Sequence, residues 1–216
     1  FHEQMQSEGI LPDVVTYICV LKACGKIGAM DKGQRIHEQI ISRSLLGKDA
    51  ILGNALLDMY IKCGLLSKAC VLFDSLSVHN VVSWTTLISG YTDNGHGEEA
   101  LKCFEWMLRE SENIQNECLS PNVVTFVCIL MACGMIKDIQ KGEEMHEELL
   151  NKGWLVKDVM LGNALVDMYA KCGALAKAKQ VLEELPVRDT ISWSSLIAGY
   201  AHEGHSHEAL NCFDQM

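Results

Sequence analysis

An internal repeat restricts this sequence to a small set of folds. Three different segments match when the chain is shifted by 109 residues. They are residues 14–25 with 123–134, residues 52–64 with 161–173, and residues 83–91 with 192–200. Self-similarity at a fixed period is typical of proteins that stack copies of one small structural unit. Because three segments share one offset, the repeating element is compound and contains three units.

The points at which the pattern restarts divide the chain into five whole units and two partial ones. The whole units are residues 14–49, 50–80, 81–122, 123–158 and 159–189, with the end of a preceding unit at 1–13 and the start of another at 190–216. The third unit is the longest, because it contains an acidic and polar insertion around Arg109 to Ser120. We expect this insertion to lengthen a helix and its loop.

Each unit is predicted to form two helices. In the second unit Leu52, Leu56 and Met59 recur at three- or four-residue spacing, and the same rhythm resumes after Gly64. Helices of fewer than about 12–15 residues are marginal alone in water, so stacked neighbours must bury their apolar faces. The sequence therefore predicts an all-α superhelical solenoid with a concave groove.

Local signals predict where these helices end and begin. The tripeptide Lys-Cys-Gly at 62–64 and 171–173 predicts the end of a first helix, since glycine readily adopts the left-handed conformation found there. Asp31, Ser67 and Ser206 are candidate starting side chains for second helices.

Composition excludes several classes of protein. The chain is 49% apolar and 21% charged, so it is not predicted to be disordered. No apolar run reaches the roughly 18 residues of a membrane-spanning helix. Eighteen Lys and Arg against 28 Asp and Glu give a net charge of -10, which argues against nucleic-acid binding by bulk charge alone.

The ten cysteines follow the repeat rather than a metal or disulfide pattern. Four pairs are related by the 109-residue offset: Cys19 with Cys128, Cys24 with Cys133, Cys63 with Cys172, and Cys103 with Cys212. Small residues that pack between helices show this register. No C-x-x-C occurs, so neither a zinc site nor a disulfide scaffold is predicted. Cys70 and Cys118, which have no counterpart, are expected to be surface thiols.

Histidines supply one motif of a known enzyme class. His96 with Glu98 and His146 with Glu148 match the H-x-E of zinc deaminases. The Pro-Cys-x-x-Cys that this chemistry also requires is missing, because Pro121 is followed by Asn122. We therefore predict no catalytic residue, no metal, no cofactor and no small-molecule substrate, and the chain is not expected to be an enzyme.

The repeated strings carry a family resemblance. SWTTLISGYTDNGHGEEALKCFEWM, residues 83–107, and its counterpart at 192–216 resemble the consensus of pentatricopeptide repeats. The strings VLKACGKIGAMDKGQRIHEQII and LGNALLDMYIKCG resemble the long and short variants of the plant PLS class. The resemblance covers the whole chain in the order P end, L, S, P, L, S, P start. It implies a right-handed superhelical α-solenoid of helix-turn-helix repeats.

The resemblance also implies single-stranded RNA binding at one base per repeat, read by the fifth and the last residue of each unit. Asn54 with Asn80 would favour a pyrimidine, Thr85 with Asn122 resembles the adenine combination, and Asn163 with Asp189 resembles the uracil combination. Ser194 indicates a purine, and Asp13, at the end of the first partial unit, takes the same base-reading role. The L units depart from the code, because Ile18 with Asp49 and Val127 with Asp158 have an apolar fifth residue. The predicted target is 5'-N-Y-A-N-U-R-3'.

Two further sets of residues are implied to contact the RNA. The second residue of each unit is expected to sandwich a base, namely Val15, Ile51, Val82, Val124, Met160 and Ile191. The alternative is that these side chains only cover the adjacent helix. Lys26, Lys62 and Lys171, near the ends of first helices, are candidates for phosphate contact, with solvated lysines as the alternative.

PLS proteins are usually specificity factors for RNA editing, so the resemblance implies the specificity part of an organellar C-to-U editing factor. Its location would be mitochondrial or plastid, with RNA-editing accessory factors as partners and no membrane. The alternatives are a protein-interaction scaffold and a structural component of an organellar ribonucleoprotein such as the mitochondrial ribosome.

Overall fold

A computed structural model describes residues 11–46, 49–114 and 119–216. Over these residues the chain forms twelve α-helices and no β-strand, which confirms the all-α prediction. The helices are α1 Val14–Ile27, α2 Met30–Ser42, α3 Ala50–Lys62, α4 Leu66–Ser75, α5 Val81–Asp93, α6 Gly97–Ile114, α7 Val123–Ile136, α8 Ile139–Lys152, α9 Val159–Lys171, α10 Leu175–Glu184, α11 Thr190–His202 and α12 Ser206–Gln215.

The helices alternate between two positions in each predicted unit. Odd-numbered helices are first helices and begin at residues 14, 50, 81, 123, 159 and 190, while even-numbered helices are second helices. Helix α6 is the longest at 18 residues and extends into the insertion of the third unit.

The chain divides into two compact bodies. The first contains the described residues of Phe1–Asn94 and Trp106–Ser120, and the second contains Gly95–Glu105 and Pro121–Met216. Within the first body α1, α3 and α5 pack side by side, and within the second α7, α9 and α11 do the same. The second helices α2, α4, α8 and α10 each pack against their own first helix and the next one. In each body the first helices therefore form one continuous layer.

Apolar residues at helical spacing bury this layer against the second helices. In the first body Leu52 and Leu56 of α3 are fully buried, together with Ile36 and Ile40 of α2. The second body repeats the arrangement 109 residues later, with Leu161 and Leu165 of α9 among its fully buried residues. Because neither helix of a pair could bury this face alone, the stacking of neighbours holds the fold together.

Glycine allows neighbouring first helices to approach closely. A Cβ atom at Gly90 of α5 would lie 2.7 Å from Cδ1 and 2.8 Å from Cγ2 of Ile61 in α3. At Gly199 of α11 it would lie 2.8 Å from the Cβ of Ala170 in α9. All three distances are shorter than van der Waals contact, so a larger residue at either glycine would push the two helices apart.

The first helices end as the sequence predicts, but the second helices begin differently. Helices α3 and α9 end at Lys62 and Lys171, and the glycines that follow, Gly64 and Gly173, have φ angles of 73° and 75°. The predicted starting residues Asp31, Ser67 and Ser206 do not cap: the residues before α2, α4 and α12 are Ala29, Leu65 and His205, and none forms a side-chain cap bond.

Backbone hydrogen bonds explain this difference. The N–H groups of Ala29, Leu65 and His205 donate to carbonyls of the preceding first helix at 2.9, 2.9 and 2.8 Å. The left-handed glycine turn thus ties the start of the second helix directly to the end of the first. The second helix begins one or two residues earlier than a side-chain cap at the predicted positions would require.

Two further properties bear on the class of protein. Among the twelve helices, none combines the length and apolar character that a membrane crossing requires. Of the nine cysteines in the described ranges, five are buried, which agrees with a packing role for most of them. Cys70, expected at the surface, is half-buried, and its Sγ lies 2.8 Å from the hydroxyl of Tyr91.

Candidate nucleic-acid interface

The residue before every first helix is Asp or Asn, and each one caps that helix. These caps are Asp13, Asp49, Asn80, Asn122, Asp158 and Asp189. In each case a side-chain oxygen accepts a hydrogen bond from a backbone N–H in the first turn, which satisfies a donor that has no partner within the helix. The predicted last residue of each unit is therefore fixed at the start of the next unit's first helix.

Capping brings the fifth and last residues together in the second and the fifth unit. In the fifth unit the Nδ2 of Asn163 donates to Oδ2 of Asp189 at 2.9 Å. In the second unit the Nδ2 of Asn54 lies 3.4 Å from Oδ1 of Asn80, a long hydrogen bond. In both units, two side chains predicted to read one base are in direct contact.

The Asn163–Asp189 pair has a defined polarity. Oδ1 of Asp189 accepts from the backbone N–H groups of Ile191 and Ser192 at 3.0 and 2.9 Å, so Oδ2 is left to bind Asn163. Hydrogen bonds from the Ser192 N–H, and then from Asn163, hold the pKa of Asp189 below its usual value. The carboxylate is therefore ionised at neutral pH and acts only as an acceptor.

Asn163 itself carries an unused acceptor. The residue is buried, and its Oδ1 has no hydrogen-bond partner among the described residues. Buried polar atoms are usually paired, so an orphan acceptor calls for an explanation. The atom is shielded from solvent, so a ligand could donate to it only after the amide had turned.

The remaining predicted base readers lie as follows. Thr85 is buried in the first body, whereas its predicted partner Asn122 belongs to the second body and caps α7 with a 3.0 Å bond from the Thr125 N–H. Ser194 and Asp13 are exposed. The fifth residues of the L units, Ile18 and Val127, are half-buried.

The six predicted base-sandwiching residues are all exposed. Val15, Ile51, Val82, Val124, Met160 and Ile191 have between 48% and 65% of their surface accessible. In each body, exposed apolar side chains thus recur at the same position of three neighbouring first helices. They are accessible for the contact with a base that the resemblance implies.

Two of the three candidate phosphate lysines, Lys62 and Lys171, have the same surroundings. The stem of Lys62 lies over Gly25 of α1, with its Cδ 3.3 Å from the place where a Cβ of that glycine would be, and Lys171 lies over Gly134 at 3.2 Å. Their Nζ atoms bind Asp58 and Asp167, respectively, at 2.7 Å.

Those acidic partners were missed by the sequence analysis. Each lies four residues before its lysine on the same helix, a spacing at which opposite charges pair, so the signal was available. Exposed pairs of this kind contribute only about 0.3–0.5 kcal/mol. A phosphate group can therefore displace the carboxylate at small cost. Lys26 is exposed in the last turn of α1.

In the second body, mixed charges line a groove at the ends of the first helices. Lys171 and the unpredicted Lys137 lie there with His202, Asp167 and Glu203. Within the described ranges, no group of three or more His, Cys, Asp or Glu side chains could hold a metal ion.

Comparisons with known proteins agree with this geometry. A PPR repeat model matches residues 15–45, 54–81, 163–189 and 191–216, and a PPR repeat family model matches residues 79–114. Two pentatricopeptide repeat-containing proteins of Arabidopsis thaliana, one mitochondrial and one chloroplastic, are 37% and 36% identical over 98% of this chain. The chain spans 37% and 33% of their lengths, about a third of each.

Solved structures show the same fold. PPR10 from maize superposes with a TM-score of 0.64 over 91% of this chain and 28% of its own, at 22% identity. PPR10 in complex with an 18-nt psaJ RNA element gives 0.62 over 100% of this chain and 36% of its own, at 17% identity. Repeat matches that together cover more than half of the sequence thus fall on stacked helix pairs of the same architecture, and the chain belongs to the pentatricopeptide repeat family.

Proposed function

We propose that this chain binds single-stranded RNA sequence-selectively, with one base facing each unit. The observation that carries the proposal is the Asn163–Asp189 pair, in which a buried amide keeps an unpaired acceptor beside an ionised cap. The exposed apolar residues Met160 and Ile191 belong to the same unit and the next one and provide surfaces for the two faces of a base. PPR10, a protein of this fold, has been crystallised with RNA.

Hydrogen-bond chemistry accounts for the predicted base preferences of the two pairs whose side chains are in contact. An Asn amide carries both a donor and an acceptor, so Asn163 can pair with the edge of uracil or of cytosine. An ionised Asp189 only accepts, which favours the N3–H of uracil over the bare N3 of cytosine. Asn80, whose amide both donates and accepts, permits either pyrimidine. The second and fifth units would thus read Y and U within 5'-N-Y-A-N-U-R-3'.

In the finer form of the proposal, the chain supplies sequence specificity to an organellar C-to-U editing factor of the PLS class. The mitochondrial and chloroplastic names of its relatives agree with an organellar location. The role would be non-enzymatic, with editing accessory factors as protein partners. A scaffold that binds protein segments would have no use for an acceptor buried beside an ionised cap.

An electrophoretic shift assay tests the proposal. The full chain is titrated into a 5'-labelled RNA that contains the predicted target, and into the same RNA with adenine at the uracil position. We expect tighter binding to the predicted target by at least tenfold. The double variant Asn163→Ala with Asp189→Ala should lose that preference.

A matched control separates base reading from helix capping. Asp49→Ala removes a cap of the same kind from α3 in the first body, at the end of a unit whose fifth residue is Ile18. This variant should keep the preference for uracil. Equal binding of the wild-type chain to both RNAs would contradict the proposal, and co-purification with ribosomal RNA alone would favour the structural alternative.

A further inference from the structure

Four of the six helix caps are held by a hydroxyl side chain three residues later. In the first body the N–H of Asn80 donates to Oγ of Ser83 at 2.9 Å, and that hydroxyl donates to the Asn80 carbonyl oxygen at 2.9 Å. The Ser83 N–H in turn donates to Oδ1 of Asn80 at 2.9 Å. Cap and hydroxyl thus fix each other in a capping box.

The same box recurs at Asp189 and Asn122, whereas the hydroxyl of Thr16 holds Asp13 through its side chain alone. Asp189 and Ser192 form all three bonds at 2.9 to 3.1 Å. The N–H of Asn122 donates to Oγ1 of Thr125 at 3.3 Å. At Asp13, both the N–H and the hydroxyl of Thr16 donate to Oδ1, at 2.7 and 2.6 Å.

The two remaining caps lack the hydroxyl and have a different backbone conformation. Asp49 and Asp158 are followed at the third position by Leu52 and Leu161, which are fully buried. Their ψ angles are 108° and 111°, whereas those of the four caps with a hydroxyl lie between 171° and 178°. The type of the third residue of the helix, hydroxyl or leucine, therefore correlates with the backbone conformation of the cap and with the direction of its side chain.

This division follows the predicted code. The two caps without a hydroxyl end the L units, in which the apolar fifth residues Ile18 and Val127 cannot hydrogen-bond a base. The hydroxyl residues Ser83, Thr125 and Ser192 are buried, at most 1% exposed, so any effect on RNA must pass through the cap.

We propose that the third residue of a unit, Thr16, Ser83, Thr125 or Ser192, is a positioning residue for base recognition by the preceding unit. The inference rests on the proposed RNA-binding function. At Asp189 the box holds Oδ1 on the helix and leaves Oδ2 aimed at Asn163. At Asn80 the box fixes Oδ1, which accepts from both the Ser83 N–H and Asn54. Without the hydroxyl the cap can rotate, and the pair loses its fixed donor and acceptor pattern.

Substitution at Ser192 tests this inference in the full chain. Dissociation constants are measured for two RNAs that differ only in uridine or cytidine at the base of the fifth unit. Ser192→Ala should reduce the preference for uridine at least fivefold, whereas Ser192→Thr, which keeps the hydroxyl, should retain it. Ser83→Ala provides a second test, because it should alter recognition at the base of the second unit and leave the uridine preference of the fifth unit intact.

A control and a readout without RNA complete the design. Asp138→Ala removes the cap of α8, a second helix, and should leave the uridine preference unchanged. NMR titration should show a higher pKa for Asp189 in Ser192→Ala, because the cap hydrogen bonds that lower it are weakened. A Ser192→Ala protein that keeps both the wild-type preference and the wild-type pKa would overturn the inference, as would an equal loss of preference in Asp138→Ala. Wild-type protein without any preference would refute the proposed function instead.

Discussion

Asp189 serves two neighbouring units with its two carboxylate oxygens. One oxygen caps α11 and the other accepts from Asn163, so the residue that starts one helix also orients the amide of the preceding unit. Under the proposed function, a single side chain thereby couples helix formation to base recognition. Capping alone accounts for the short side chains with an acceptor oxygen, Asp or Asn, at all six cap positions, since Asp49 and Asp158 end units with an apolar fifth residue.

At this scale, Asp189→Asn is expected to relax specificity without loss of binding. The substitution gives the fifth unit the residue types of the second unit, Asn54 and Asn80, so cytosine becomes as acceptable as uracil. A well-formed base contact discriminates by about 1–3 kcal/mol, which predicts a loss of roughly tenfold in the ratio of the two dissociation constants. Fluorescence anisotropy with paired RNAs measures the ratio, and Asp158→Asn is the matched control.

The lowered pKa of Asp189 adds a prediction about pH. A carboxyl group with a depressed pKa stays ionised, and keeps the stability its hydrogen bonds provide, until the pH falls through that pKa. The preference for uracil over cytosine should therefore stay constant from about pH 8 to pH 5, well above the ordinary aspartate value near 3.9. A preference that declines over this range would show that the carboxylate is not the discriminating group.

Sequence reasoning at the residue scale identified these residues as the last of their units but missed that they cap the first helices. The pairing of Asn163 with Asp189 followed from the family resemblance. The ψ angles that separate Asp49 and Asp158 from the other caps were not predictable, because they depend on hydrogen bonds to a buried third residue. The same limit applies to the orphan acceptor of Asn163, which depends on packing between helices.

At the scale of the helical elements, the turns between first and second helices differ at one position. Gly28 ends α1 with a φ of 65°, whereas its counterpart 109 residues later is Lys137, with a φ of 57°. Lys137 is one of two non-glycine residues with a positive φ in the described ranges. A residue with a Cβ is destabilised by about 1–2 kcal/mol in this conformation. Replacement by glycine removes that strain, but part of the gain is lost because glycine has more conformational freedom in the unfolded chain.

Lys137→Gly is therefore expected to stabilise the protein by about 0.5–1 kcal/mol, measured as the free energy of unfolding in urea. Lys137→Ala removes the side chain but retains a Cβ, so it should not stabilise. The reverse experiment, Gly28→Ala, should destabilise by a similar amount, because alanine would be strained at this positive φ. No steric clash would add to the effect, since nothing lies within 4 Å of the new Cβ. Stabilisation by Lys137→Ala equal to that by Lys137→Gly would assign the effect to charge rather than to conformation.

The two helices of each unit were predictable from the sequence, and the error in where the second helices begin had a local cause. Apolar spacing predicted two helices in each unit, since residues such as Leu52 and Leu56 are fully buried. The starts of the second helices were misplaced at Asp31, Ser67 and Ser206. At these sites a backbone turn already satisfies the N–H groups, so no side-chain cap is needed. A prediction based on the preference of Asp and Ser for cap positions does not take such a turn into account.

At the scale of the whole molecule, the net charge of -10 limits how the chain could bind the proposed RNA. Only three lysines were assigned to phosphates, and two of them, Lys62 and Lys171, bind carboxylates in the absence of RNA. Affinity should therefore depend on stacking against the exposed second residues and on base-edge hydrogen bonds. Long-range attraction of the phosphate backbone would contribute little.

Salt dependence measures this balance directly. Each phosphate neutralised on a single strand contributes about 0.7 to the slope of log Kd against log salt, so three lysines predict a slope of about 2. Lys62→Ala should lower that slope by about 0.7, and Asp58→Asn, which frees Lys62 from its ion pair, should strengthen binding most at low salt.

Lys68→Ala is the control, because Lys68 lies on the second helix α4 and donates to Gln34 rather than facing the proposed RNA surface. A wild-type slope of about 5 or more would mean that many further cations contact the RNA. Stacking and base-edge recognition would then not be the main source of affinity.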